Sequence, residues 1–200
     1  MTFNKHNLKI IECAAKDETR PALSGLFITE NYTCATDSYC LMEVSNPKVN
    51  KEDLPIIPNS KPAHYCDPAI IPAKAIQKVL QNLPKNTTLP ILQNAWLGSK
   101  TDKKTAEILT TDLEIANPVI TRKTEAQFPD YKKIIPKDKP EKTINVNPEI
   151  LIKVLKQFVG FTDSSNVKIQ ISDKLSPIKI SAHNKEQNMV GLVMPLKTEE

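Results

Sequence analysis

The strongest constraint on the fold is self-similarity at a long period. The tripeptide KVL at Lys78–Leu80 returns at Lys153–Leu155, 75 residues on, each time inside an amphipathic stretch. ILTTD returns loosely as KISAH about 70 residues later, and a first amphipathic stretch near the N-terminus precedes the second by a similar interval. A period this long, with a helix and several strands per copy, points to a tandem βαβββ unit rather than a solenoid. The expected class is α+β with about three such units in the chain. Two units can pair their sheets and helices into one domain, which leaves the third without an internal partner.

In the first copy, Leu8, Ile11 and Ala15 recur at helical spacing between Asn4 and Lys16, with Lys5, Lys9 and Lys16 on another face. LFITE, YTCAT and CLMEV then read as short strands joined by polar corners at Glu30-Asn31 and Asp37-Ser38. Residues 45–68, rich in Pro, Asn, Lys and Asp, are expected to form an exposed crossing loop. The second copy places Pro72 at a helix start, Ile76, Val79, Leu80 and Leu83 on one face, and Lys74 and Lys78 on the other. Three strand patterns follow, with a hairpin corner near Thr101-Asp102. The third copy begins with the strand pattern TINVN, has Asn147 as a helix cap, and carries Lys153 and Lys156 opposite an apolar face that includes Ile150. NVKIQIS, PIKISAHN and NMVGLVMPL alternate as strands. The second and third copies are joined by FPDYKKIIP, whose prolines Pro129 and Pro136 bound a semi-rigid, extended connector.

At 40% hydrophobic and 25% charged, the chain can bury a core and is not expected to be disordered. No apolar run is long enough to cross a bilayer, and the first residues turn polar too soon for a signal peptide, so a cytoplasmic protein without a membrane partner is expected. Cys13, Cys34, Cys40 and Cys66 form no CxxC pair and lack a histidine at ligand spacing, so reduced thiols are expected, with no metal site. The sequence has no GxGxxG or Walker motif, and no cofactor is expected. Asp37 beside Ser38 and His183 near Glu186 are better read as turn residues than as catalytic pairs, and no catalytic residue is assigned. The net charge of +4 is uneven, with twelve basic against seven acidic residues in 71–140. That is too little for a protein gripping DNA by charge alone.

Four stretches in fixed order carry a family resemblance. ETRPALSG followed by ATDSYCLMEV, then IIPAKAI, then FPDYKKIIP, and finally VMPLK resemble the bacterial DNA polymerase III beta subunit, the DNA sliding clamp, in a shortened form. Residues 1–130 resemble the clamp's middle domain, 131–136 its connector, and 137–200 half of its last domain. The resemblance implies a non-enzymatic processivity factor for DNA replication, a ring of two-unit domains around double-stranded DNA with helices inside. Lys74 matches a family position that faces DNA; periodicity alone adds Lys5, Lys9, Lys78, Lys153 and Lys156, which without the resemblance are an ordinary solvated face. The family ring has about twelve units, so four chains of three would close it, and a homotetramer is favoured over a dimer.

The resemblance also implies a hydrophobic pocket for clamp-binding peptides of DNA polymerase and other proteins, with a clamp loader as a further candidate partner. Thr36, Ser38, Tyr39, Cys40 and Leu41 match its corner, Pro129, Lys133 and Ile134 the connector's share, and Met194, Pro195 and Leu196 the C-terminal wall. Asn147, Ile150 and Leu175 join them if the last segment aligns as the second half of the family's last domain, although ISAHNKEQ is more like the first half. Ser38-Tyr39-Cys40 stands where the family has a small residue, His and Arg. The alternative is a non-ring adaptor or decoy that keeps the peptide pocket and competes with a true clamp.

Overall fold

The computed structural model describes residues 1–17, 19–48, 67–85, 89–99, 103–162 and 166–196. The expected crossing loop lies mostly outside the described residues, as do the Thr101-Asp102 corner and Cys66. The chain divides into two compact units, Met1–Lys133 and Ile134–Glu200.

Unit 1 opens with β1 (Thr2–Asn4) and α1 (Lys5–Lys9), followed by a 3-10 turn at Ile10–Cys13. Asn4 caps α1 by accepting from the His6 and Asn7 amides, and the Asn7 side chain accepts the Asn4 amide at 3.0 Å in return. The single helix expected from Asn4 to Lys16 is thus shortened and tightened. Asn7, a poor helix former, is wholly buried and its amide donates to Thr33 Oγ1 and to the carbonyls of Val44 and Ser45, pinning the helix to the strands beneath.

The strands β2 (Gly25–Ile28), β3 (Tyr32–Thr36) and β4 (Leu41–Ser45) complete the first repeat. The second repeat is β5 (Ala69–Pro72), α2 (Ala73–Asn82), β6 (Asn94–Ser99), β7 (Thr105–Thr111) and β8 (Ala116–Arg122). Pro72, its φ already near the helical value, precedes α2, whose Ala75, Ile76 and Val79 face inward. The two sheets run β4-β3-β2-β5 and β1-β6-β7-β8, so each takes three strands from one repeat and the first strand of the other. Both exchanges are antiparallel, with Leu26 opposite Ile71 and Phe3 opposite Ala95. Gly25 permits the first, because a Cβ there would stand 2.5 Å from the Ile71 carbonyl oxygen. α1 and α2 pack against each other, and Leu8, Ile28, Ile76, Leu97 and Ile108 meet in one core with no exposed surface.

Unit 2 holds one repeat: α3 (Pro148–Lys156), β9 (Lys168–Gln170), β10 (Ile178–His183) and β11 (Asn188–Val193), in the sheet order β11-β10-β9. Phe158, Ile178, Ile180 and Val193 form its core. α3 lies so close to the sheet that a Cβ on Gly191 would be 2.6 Å from Val154 Cγ1. The expected TINVN strand is not part of this sheet. Residues 143–147 instead run alongside the chain end, where the Asn145 carbonyl accepts the Leu196 amide at 2.7 Å.

Candidate functional site

The ATD corner is built by side-chain hydrogen bonds. Thr36 Oγ1 donates to the Cys40 carbonyl at 2.6 Å, and Asp37 Oδ1 accepts the Tyr39 and Cys40 amides, each at 2.8 Å. Those amides, Cys40 first, hold the Asp37 carboxyl below its ordinary pKa. Between them Ser38 takes φ 85°. The same device closes the β7–β8 corner: Thr111 Oγ1 donates to the Ile115 carbonyl, Asp112 Oδ1 accepts the Glu114 and Ile115 amides, and Leu113 takes φ 82°. At the β10–β11 corner Asn184 Oδ1 accepts the Glu186 and Gln187 amides. The motif is therefore the architecture of the repeat. Thr36, expected to line a pocket, is buried with its hydroxyl committed to the turn. Ser38, Tyr39 and Cys40 remain exposed, Tyr39 almost completely at 94%.

The Cys40 thiol is pushed up to about 11, first by desolvation and then by hydrogen bonding with Asp37 and Cys13. Cys34, buried beneath, is likewise pushed up to about 11 by burial. Among the described residues Cys13, Cys34 and Cys40 form no disulfide.

Leu41 connects this corner to the connector, packing against a cluster of Cys34, Ile70, Phe128 and Tyr131. Phe128 stacks on Phe27 with centroids 4.6 Å apart and planes 6° from parallel. Tyr131 meets Phe128 and Tyr32 edge-on and donates its hydroxyl proton to Glu43. Burial, with the Glu43 and Tyr32 hydrogen bonds, raises the Tyr131 pKa. Lys132 Nζ lies 4.3 Å from the Tyr32 ring centroid. The connector is consequently not a uniformly extended strap: Tyr131–Lys133 is a 3-10 turn, and its aromatic start belongs to unit 1. Pro129 and Lys133 are exposed beside this anchor, with Lys133 3.0 Å from Asp130. Tyr32, Glu43 and Lys132 were not anticipated from the sequence; the aromatic pair in FPDY was the available signal.

The other predicted peptide contacts lie in unit 2. Ile134 is 75% exposed, and Leu175, Met194 and Leu196 are each more than half exposed, although all four are apolar. Leu175 sits in a turn held by Asp173 Oδ1, which accepts the Leu175 and Ser176 amides. Asn147 uses its side chain to cap α3, accepting the Glu149 and Ile150 amides, and Ile150 is exposed on the first turn. Pro195 is half-buried. The hydrogen bond between Leu196 and Asn145 brings residues 194–196 alongside the segment leading to Asn147.

Of the lysines expected to face DNA, Lys5 has a structural task. Its Nζ donates to the carbonyls of Pro84 and Lys85, each at 3.0 Å, closing the C-terminal end of the α2 segment. Lys9, Lys74 and Lys78 are exposed on the helical layer of unit 1, and Lys153 and Lys156 in the last turn of α3. Lys74 also lines a cleft of about 810 Å³ with Lys16, Pro21 and Gln77. Among the described residues no group of acidic, histidine or cysteine side chains could hold a metal ion, and no helix is long and apolar enough to cross a membrane.

No family model matches the chain, and no curated protein matches it significantly. Solved structures do. The DNA polymerase III beta subunit of Thermotoga maritima is similar over 100% of this chain and 51% of its own, with 20% identity and a TM-score of 0.64. The sliding clamp of Pseudomonas aeruginosa gives 16% identity and a TM-score of 0.68 over 98% of this chain and 50% of its own. The beta subunit of Borrelia burgdorferi gives 15% identity and a TM-score of 0.68 over 97% and 48%. The chain thus spans about half the length of the clamps it matches. Repeats, exchanged strands and structural neighbours agree on one conclusion: this chain has the α+β fold of the bacterial DNA polymerase III beta sliding clamp.

Proposed function

We propose that the protein is a sliding-clamp-like processivity factor for DNA replication, without catalytic activity of its own. Copies assemble into a ring around double-stranded DNA, a tetramer in preference to a dimer. Lys9, Lys74, Lys78, Lys153 and Lys156 make loose, water-mediated contacts with phosphates, so the hold is topological and permits sliding. DNA polymerase and other replication proteins are tethered by short peptides on apolar residues that each unit carries, the exposed Tyr39 and Pro129 beside half-buried Leu41 in unit 1 and the exposed Ile134, Met194 and Leu196 in unit 2. A clamp loader is a candidate partner for ring opening. The observation that carries this reading is the clamp fold over the whole chain combined with exposed lysines on the helices.

The test is retention on nicked circular DNA followed by linearisation. A ring is retained on the circle and lost once the DNA has ends. The near-complete exposure of Tyr39 favours a second reading, a non-ring adaptor or decoy that binds clamp-binding peptides. Indifference to linearisation, with peptide binding intact, supports that reading and removes the ring.

A further inference from the structure

Unit 1 is an internal template for unit 2. In its two repeats and in unit 2, a central-strand residue lies four places before the corner side chain that accepts the turn amides: Thr33 before Asp37, Ile108 before Asp112, and Ile180 before Asn184. The neighbours paired with these central residues are Ile28, Leu97 and Ile169. Ile28 and Leu97 are fully buried, but Ile169 is 53% exposed. The helices give the same result. Three residues beyond Asn4, Pro72 and Asn147 stand Asn7, Ala75 and Ile150, of which the first two are buried and Ile150 is 48% exposed.

What covers these positions in unit 1 is the other repeat. β5 lies against β2 and β1 against β6, and the two helices pack together. Unit 2 has the accepting edge, β9, and a donor in residues 144–147. This donor is held as β5 is: the Ile70 carbonyl accepts the Thr124 amide at 2.9 Å, as the Asn145 carbonyl accepts that of Leu196 at 2.7 Å.

We infer that unit 2 is completed by unit 2 of a second copy of this chain, through reciprocal pairing of residues 144–147 with β9 and packing of α3 on α3. The partner is a second copy because donor edge, acceptor edge and open helix face all occur in one unit. A two-fold operator satisfies all three at once, giving a closed isologous interface. The template sets the register. Phe3 opposite Ala95 and Ile71 opposite Leu26 translate to Val146 opposite Val167, which carries Ile144 toward Ile169. Both are apolar pairs on the inward face, and the pairing also removes an exposed sheet edge. Two copies so joined hold three two-repeat domains. This deepens the ring proposed above and rests on that reading for its role on DNA.

The test mixes full-length single variants under mild oxidation. V146C with V167C is expected to give a disulfide-linked dimer several-fold above V146C with K179C, whose cysteine is out of register. Sedimentation of the native protein is expected at no less than twice 22.4 kDa, and I169D at the monomer mass with its helical circular dichroism retained. A native monomer at micromolar concentration overturns the inference, as does a dimer whose in-register cross-link is no stronger than the control. Capture on circular DNA is scored separately. A cross-linked dimer lost equally from circular and linear DNA keeps this interface and removes the ring. Topological retention without the in-register cross-link does the reverse.

Discussion

Units 1 and 2 are built from the same repeat, yet one is closed and the other half open. In unit 1 the inward faces of both sheets and both helices are covered, and Leu8, Ile76, Leu97 and Ile108 have no exposed surface. In unit 2 the strand and helix positions equivalent to buried ones are about half exposed, and α3 contains no buried residue. The difference shows that burial depends on the partner repeat. An apolar stripe specifies which face needs covering, and the exchanged strand supplies the cover.

The largest expected effect tests that contrast directly. Leu97→Ala should destabilise unit 1 by about 2–5 kcal/mol in urea unfolding, the usual cost of a core truncation. Ile169→Ala, at the equivalent place in unit 2, should cost under about 1 kcal/mol in protein dilute enough to be monomeric, and more as concentration rises. Equal costs at every concentration would break the comparison. A smaller effect is expected at Gly191, where an alanine Cβ would press on Val154 and Phe158. Gly191→Ala should lower the stability of unit 2 by about 1–3 kcal/mol in thermal melts and leave unit 1 unchanged.

The corners sharpen the comparison at the scale of single residues. Ser38 and Leu113 have left-handed backbones in unit 1, so Ser38→Gly and Leu113→Gly should each stabilise that unit by roughly 1 kcal/mol. Lys185, at the equivalent corner of unit 2, is not in that conformation, and Lys185→Gly should give no gain in the same measurement.

The smallest effect at neutral pH concerns ionisation. Burial raises the Cys34 pKa from 9.0 to about 11, so the fold favours the neutral thiol. This contribution is complete below pH 9 and lost as pH rises through about 11. Tyr131 shifts in the same direction, while unit 2 contains neither cysteine nor tyrosine. Unit 1 should therefore lose more stability than unit 2 over that alkaline range, as read by Trp96 fluorescence against circular dichroism.

Much of the architecture was legible in the sequence. KVL and its apolar surroundings marked α2 and α3, Pro72 and Asn147 marked their starts, and alternation marked most strands. The exchange of β1 and β5 was not legible, because a short apolar strand carries no label for the sheet it joins. Nor was the shortening of α1, which depends on Asn7 meeting Thr33 and Val44 from distant sequence. The candidate site was legible in composition more than in role. Leu41, Ile134 and Met194 are apolar as their composition suggests, but Thr36 has a local hydrogen-bonding duty that spacing could not distinguish from a partner contact, whereas the cap role of Asn147 was legible from the proline and the apolar stripe that follow it.

The aromatic start of the connector has a mechanical consequence. Phe128 is stacked on Phe27 of β2, while Tyr131 meets Tyr32 of β3 and bonds to Glu43 of β4. Tension arriving along the chain from Ile134 enters unit 1 at this rivet and is shared by three neighbouring strands. It is met by three hydrogen-bonded strands at once, so a pull on the connector does not peel a single strand from the sheet.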